Sequence, residues 1–190
     1  APPRAKPKKP QKSLTVALQV LQECFNPVIE PRSGKDLIPM MVYNQSSEAA
    51  DCSGFYTVVL RCLKEVRCAA TFRVFGETVA ELPLIGTKFQ YRKMGLCRRM
   101  VRVVEELLLD LGVKRLVLPA VPTVQKTWAR AFGFEKCDTS DRLGLSHLSI
   151  LLFPGTTLMR KDLSTATLTK FSEVLADLPA PANPKTPANP

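Results

Sequence analysis

Residues 81–104 read ELPLIGTKFQYRKMGLCRRMVRVV. The segment leading into this stretch and through it, Val79–Thr87, is nearly continuously apolar, the pattern of a strand buried on both faces. A short basic connection follows and then Gly95. Beyond it Met100, Val103, Val104, Leu107, Leu108 and Leu111 recur at helical spacing, which predicts a helix from near Gly95 to about Leu111. Arg98, Arg99, Arg102, Glu105, Glu106 and Asp110 fill its other face, and Gly112 stands where a left-handed C-cap is expected. The first turn of a helix carries backbone N–H groups without intrahelical partners. Arg92, Lys93, Arg98 and Arg99 crowd that turn, and Gly95 permits close approach to its backbone. With the positive end of the helix dipole, these groups make an anion site suited to phosphates. The same residues also read as an ordinary strand–turn–helix with a solvated basic face, and physics alone leaves both open.

No Gly-Lys-Ser/Thr follows, so this is not a Walker loop, and a single glycine is not a dinucleotide fingerprint. Arg92-Lys93-Met94-Gly95-Leu96-Cys97 resembles the coenzyme A pyrophosphate loop of the Gcn5-related N-acetyltransferases, Gln/Arg-x-x-Gly-x-Gly/Ala. Arg92 and Gly95 match, and Cys97 departs with a residue that is still small. GFYTVVL, AELPLIGT, YRKMGLCRRM, WARAFGF (Trp128–Phe134) and LLFPGTTLMRK widen the resemblance over roughly residues 14–161. Together they are similar to one subgroup, the plant nuclear proteins of the Increased DNA Methylation type, which carry a PHD finger before an acetyltransferase domain. The resemblance implies an α/β fold with a mixed, mostly antiparallel sheet, flanking helices and a splayed central strand pair. It also implies acetyl-coenzyme A as cofactor, a histone tail as substrate, and a nuclear location.

Composition agrees with a single soluble domain: 190 residues, 45% hydrophobic and 23% charged. No apolar run approaches the roughly 18 residues of a membrane span. Residues 1–12 are basic and proline-rich, with Arg4, Lys6, Lys8, Lys9 and Lys12 contributing to a net charge of +10. This leader is expected to be a disordered, solvated linker that could also touch nucleic acid. The six cysteines form no Cys-x-x-Cys pair and His147 is the one histidine, so a zinc finger is not expected, nor any metal site. Without an apolar signal-peptide core, reduced thiols are expected. The family's PHD finger is not in this sequence, so the chain reads as a piece of a longer protein whose flanking domains would bring chromatin regulators. Residues 13–162 form the expected acetyltransferase domain, and residues 163–190 a C-terminal segment ending in a Pro/Ala-rich disordered tail with Pro-Ala-Asn-Pro at 181–184 and 187–190.

The remaining elements follow from pattern. Ser13 is expected to cap a helix bearing Leu14, Ala17, Leu18, Leu21 and Phe25, ended by Pro27. A short helix is expected over Leu37–Tyr43, and a hairpin from Gly54–Leu60 and Val66–Phe75 turning at Leu63–Glu65. Arg115–Pro119 reads as a strand, and a helix from Pro122 carries Val124, Trp128, Ala131 and Phe132 and stops at Gly133. Phe134–Cys137 and Leu148–Phe153 read as a closing antiparallel pair around a polar loop, Asp138–Ser146. The order is mixed α/β.

Glu81 is the carboxylate inside an apolar strand, costly there unless it faces a cleft or a partner. Desolvation should raise its pKa, which suits a general base, while a structural ion pair is the alternative. The resemblance strengthens the first reading, because it places a strand glutamate eleven positions before the pyrophosphate motif, the spacing of Glu81 and Arg92. It implies that Glu81 deprotonates the substrate ammonium through a water and that the amine attacks the thioester directly. It also implies main-chain contacts to the pantetheine arm from Leu84, Ile85 and Thr87, with the Ile85 N–H polarising the thioester carbonyl, and pyrophosphate binding by Arg92–Arg98. Pro83 fits such a strand only at a splay or bulge. Trp128 falls where related enzymes often place a tyrosine beside the cofactor; a core aromatic is the alternative reading. Water, Tyr91 or Tyr56 could then protonate the leaving thiolate. Cys97 at a helix start could be a nucleophile, but without a histidine partner packing is the expected role. A basic tail needs an acidic groove, for which Glu48, Asp51, Asp138 and Asp141 are candidates. Two further functions stay open: a catalytically weak acetyltransferase-fold chromatin scaffold, and a small-molecule N-acetyltransferase.

Overall fold

The computed structural model of the protein describes residues 10–163. Strands β1 (Phe55–Cys62), β2 (Glu65–Phe75), β3 (Val79–Thr87), β4 (Arg115–Ala120), β5 (Glu135–Lys136) and β6 (Thr157–Asp162) form one sheet in the order β1-β2-β3-β4-β6-β5. All neighbours are antiparallel except β3 and β4, which are joined by helix α3 (Leu96–Asp110) and run parallel. A parallel pair needs such a crossover, whereas β1 and β2 need only the turn at residues 63–64. The other helices are α1 (Pro10–Cys24), α2 (Leu37–Val42), α4 (Pro122–Phe132) and α5 (Thr139–Leu145).

Side chains alternate across the sheet, and two large cores result, beside a smaller cluster of Val79, Val117, Cys137, Leu145 and Leu158. Ala70, Phe72, Ala80, Leu82, Leu116 and Leu118 pack under α3 and α4 with Met100, Val104, Leu108, Trp128 and Phe132. Ala69, Leu84 and Phe55 pack under α1 and α2 with Ala17, Leu21, Ile38 and Met41. Gly86 admits the end of α1: a Cβ there would stand 2.9 Å from the Cys24 side chain. Pro83 is accommodated as expected, because the β2–β3 register shifts between Thr71 and Arg73, opposite Leu82 and Pro83.

Several expectations are corrected. Ser13 is not the cap of α1, which begins at Pro10, since proline needs no N–H partner in a first turn. Residues 10–12 of the anticipated leader thus belong to α1, and residues 1–9 lie outside the described residues. The buried stripe of α3 is Leu96, Met100, Val101, Val104, Glu105 and Leu108, leaving Val103, Leu107 and Leu111 at 47%, 42% and 53% exposure. Glu105 can turn inward because Lys161 of β6 donates to its carboxylate at 2.6 Å, both groups being buried. Asp138–Ser146 is not a loop: Asp138 and Asp141 form a reciprocal capping box that starts α5. Leu148–Phe153 is not a strand. It crosses the sheet face, with Leu151 and Phe153 against the α1/α2 core, and Thr157–Asp162 takes its place in the sheet. The C-terminal tail from residue 164 lies outside the described residues.

Candidate active site

The parallel ladder between β3 and β4 covers Val79, Ala80 and Glu81 against Arg115, Leu116 and Val117. β3 then continues to Thr87 and β4 to Ala120 without further pairing, so the two strands part immediately after Glu81. This is the splay expected of the central pair, and Glu81 sits at its apex.

From the open end of β3 the chain turns through a 3-10 turn at Phe89–Tyr91 into the basic loop. Lys93 and Gly95 both adopt left-handed φ, 61° and 75°. No side chain caps α3 at Gly95. The α3 start therefore presents main-chain N–H groups within a turn of alternating hand, the backbone concavity that receives anions. Arg92, Lys93, Met94 and Arg99 are exposed around it, Arg98 and Cys97 are half-buried, and Leu96 is buried in the core. The Arg92 guanidinium lies 3.9 Å from the Phe89 ring centroid, and its Nε donates to the Thr87 carbonyl at 3.2 Å. The Cys24 thiol donates to the same carbonyl at 3.3 Å, and the Thr87 hydroxyl bonds the Cys68 sulfur at 3.3 Å. Thr87 thus ties the end of β3 to α1, β2 and the loop. Leu84 puts its side chain into the α1/α2 core, and Ile85 packs toward the α3 side opposite Ala70.

Glu81 faces away from Ala80 and Leu82, and it is fully buried. Its Oε1 accepts from Arg73 Nε at 2.7 Å and lies 2.6 Å from Arg73 Nη2; its Oε2 accepts from the Leu151 N–H at 2.9 Å. Burial raises the Glu81 pKa, opposed by the Leu151 N–H and by Arg73. The Arg73 guanidinium also donates through Nη1 to the Asp51 carbonyl at 3.0 Å and the Ser53 carbonyl at 3.4 Å, and through Nη2 to the Ser149 carbonyl. It lies 4.5 Å and 4.9 Å from the ring centroids of Phe55 and Phe75. The structural ion pair weighed as the alternative reading of Glu81 is thus present. Reading the sequence missed Arg73, although it is the one charged residue within Ala69–Phe75.

Other candidates fall elsewhere. Trp128 is a core aromatic, edge-on to Phe134 at 5.4 Å and tilted against Phe132 at 4.7 Å. Tyr91 donates its hydroxyl to Glu65 at 2.6 Å, under the Arg67 guanidinium. Tyr56 is exposed and stacks on Phe72. Burial pushes the Cys97 thiol up to about 12, so it stays protonated and packs. His147 is exposed beyond α5. Of the acids considered for a groove, Asp141 is paired with Arg115 and Arg160, Asp138 caps α5, and Glu48 is exposed. Asp51 accepts from Ser46 and Ser53, which hold it at about 2. Among the described residues no helix is long and apolar enough to cross a membrane.

Comparison with known proteins agrees with this architecture. Tetrahymena GCN5 superposes with a TM-score of 0.61 at 16% identity, over 81% of this chain and 88% of that one. The ribosomal-protein-S18-alanine N-acetyltransferase of Escherichia coli gives 0.56 at 16% identity, over 85% and 93%. At such identities the likeness establishes the fold, that of the Gcn5-related N-acetyltransferases. In sequence, the chain is 42% identical over 156 residues to Increased DNA methylation 1 of Arabidopsis thaliana, which spans 81% of this chain but 13% of that protein. Residues 25–162 match the family described as Increased DNA methylation 1, C-terminal domain. The chain therefore belongs to the family of Increased DNA methylation 1 C-terminal domains, an acetyltransferase-like domain on the Gcn5-related fold.

Proposed function

We propose that this domain transfers an acetyl group from acetyl-coenzyme A to lysine side chains of histone tails in the nucleus. One observation carries the reading: a buried carboxylate of raised pKa, Glu81, stands on β3 at the residue where β3 and β4 part.

The loop fits the anionic half of the cofactor. Left-handed Lys93 and Gly95, an α3 start without a side-chain cap, and exposed Arg92, Lys93 and Arg99 together suit a diphosphate. The main chain from Arg92 through Met94, Gly95, Leu96 and Cys97 to Arg98 would hold it. Leu84, Ile85 and Thr87 would offer main-chain groups along the opened edge of β3, with the Ile85 N–H as the polarising donor. Acetyl-coenzyme A bound there would supply the activated acyl group as a thioester. Glu81 would accept a proton from the substrate ammonium through a water, which is general-base work for a carboxylate titrating above its ordinary range. Trp128 would act on the site through packing alone. Flanking domains of the longer protein, such as a PHD finger, would bring chromatin partners.

A second reading, a chromatin scaffold with little catalysis, draws on a specific observation: both Glu81 oxygens already have donors. Acetyl-coenzyme A turnover on free histone tails, on spermidine and in buffer separates the possibilities. Tail-dependent turnover supports the proposal. Cofactor binding without turnover favours the scaffold, and turnover on spermidine alone favours a small-molecule enzyme.

A further inference from the structure

We propose that Arg73 is the positioning residue for Glu81, and that an amine reaches Glu81 only when the segment Ser149–Leu151 lets go of both. The inference rests on the reading of Glu81 as the general base.

Three elements meet at this pair. Arg73 comes from β2 and Glu81 from β3, while the segment after α5 contributes the Ser149 carbonyl to Arg73 and the Leu151 N–H to Glu81. One short stretch of backbone therefore bonds each member of the pair. The segment belongs to no ladder among the described strands; Ser149 is exposed, Leu151 is half-buried at the edge of the α1/α2 core, and the next residue, Leu152, is 65% exposed. Such a stretch opens more readily than the sheet beneath it. Arg73, by contrast, is held independently of the segment by the Asp51 and Ser53 carbonyls and by the Phe55 and Phe75 rings. When the segment lifts, the guanidinium stays in place and continues to aim Oε1, while Oε2 loses its donor and becomes the free oxygen.

The Leu151 N–H favours the carboxylate form, so its departure removes one contact that lowers the Glu81 pKa. The proton then passes from the substrate ammonium to Oε2 through the water: an ammonium N–H bond breaks, the water takes that proton and gives up one of its own, an O–H bond forms on the carboxylate, and the net charge of ammonium, carboxylate and guanidinium is unchanged. The other titratable groups near the pair, Asp51 and Cys52, are silent in the working range. Asp51 sits at about 2 and burial pushes the Cys52 thiol to about 11.

Hydrogen exchange on the unmodified 190-residue chain, with coenzyme A and a histone-tail peptide added, tests the gate. The Leu151 amide is expected to lose protection when the peptide binds. A bound peptide with Leu151 protected as before overturns the proposal. Arg73→Lys tests the positioning role. It keeps a cation but loses the fork, and a fall in tail turnover of tenfold or more is expected, with coenzyme A affinity unchanged by calorimetry and the pH limb displaced. An Arg73→Lys chain with wild-type rate and pH profile overturns the role even where Glu81→Gln is inactive. Wild-type turnover in Glu81→Gln instead overturns the general-base reading itself. Should Arg73→Lys fail to fold, Leu151→Pro, which removes the donor to Oε2, takes its place: the pH limb of tail turnover is expected to move upward, and an unmoved limb overturns the proposal.

Discussion

Gly95→Asp separates binding from folding at the proposed cofactor loop. Gly95 has a φ of 75°, and an added Cβ would meet nothing within 4 Å. The folding cost is thus conformational, about 1 kcal/mol for a side chain in the left-handed region and less for Asp than for most residues. A carboxylate at a helix start returns about 0.3–1 kcal/mol through the dipole. The two nearly cancel, so thermal stability should hold to within about 1 kcal/mol. Binding is another matter. A negative charge about 4 Å from a phosphate costs ~1 kcal/mol in water and ~4 kcal/mol near a protein surface, and a diphosphate carries more than one charge. Affinity for coenzyme A should therefore fall between about tenfold and about a thousandfold. Gly95→Ala shares the backbone cost without the charge and should keep most of the affinity. Calorimetry with parallel melting curves reads all three chains. A folded Gly95→Asp chain that binds as tightly as wild type would refute the placement of the diphosphate.

Three other perturbations have defined outcomes. Leu107→Gln should change stability in urea by less than about 0.5 kcal/mol, whereas Leu108→Ala should cost about 2–5 kcal/mol; the reverse order would mean that α3 buries the other stripe. Lys161→Met strands the buried Glu105 carboxylate and should cost about 3–5 kcal/mol, most of it restored by adding Glu105→Leu. Burial already raises the Glu105 pKa despite Lys161, and losing that cation raises it further. A raised folded pKa favours the fold at low pH, so the deficit of Lys161→Met should narrow as pH falls from about 8 to about 5 and widen again above. A deficit constant with pH would clear Glu105 of the cost. Glu81→Gln should lower tail turnover by about 10² to 10⁴ at neutral pH. Wild-type rate should rise with pH through the raised Glu81 pKa and flatten in the variant, with melting temperatures compared first.

What could be read in the sequence was whatever depends on local pattern. β3, the α3 boundaries, the hairpin and the stop at Gly133 follow from apolar runs and turn residues, and all appear within a residue or two. The failures come from pairings that no local pattern reveals. Glu105 reads as a solvent-facing acid until Lys161, far along the chain, neutralises it, and the whole α3 stripe then turns with it. Leu148–Phe153 is more apolar than Thr157–Asp162 and so reads as the better strand. Yet the half-polar segment wins the ladder because Arg160 and Lys161 find acids in Asp141 and Glu105. Glu81 stood out in its strand, but Arg73 was visible only as a lone cation. Its meaning depends on the β2–β3 register that sets it opposite Glu81.

Comparing the two buried carboxylates shows what favours Glu81 as the proposed base. Both have pKa values raised by burial, and both are paired with a buried cation. Replacing such a pair with apolar side chains is often neutral or stabilising, so burial alone assigns no role to either. They differ in what covers them. Glu105 and Lys161 lie between α3 and β6, two regular elements, and reaching that carboxylate means separating a helix from the sheet. Glu81 is the last β3 residue paired with β4, at the point where the two strands part, and the donor to its Oε2 is a single N–H of a segment outside the ladders. Opening the Glu81 pair means freeing Leu151 from the edge of the α1/α2 core, and opening the Glu105 pair means parting a helix from the sheet. Base chemistry requires a carboxylate whose proton affinity is raised and which can still meet an amine. Burial raises the pKa of both carboxylates, and the proposed opening at Leu151 would supply the second condition at Glu81.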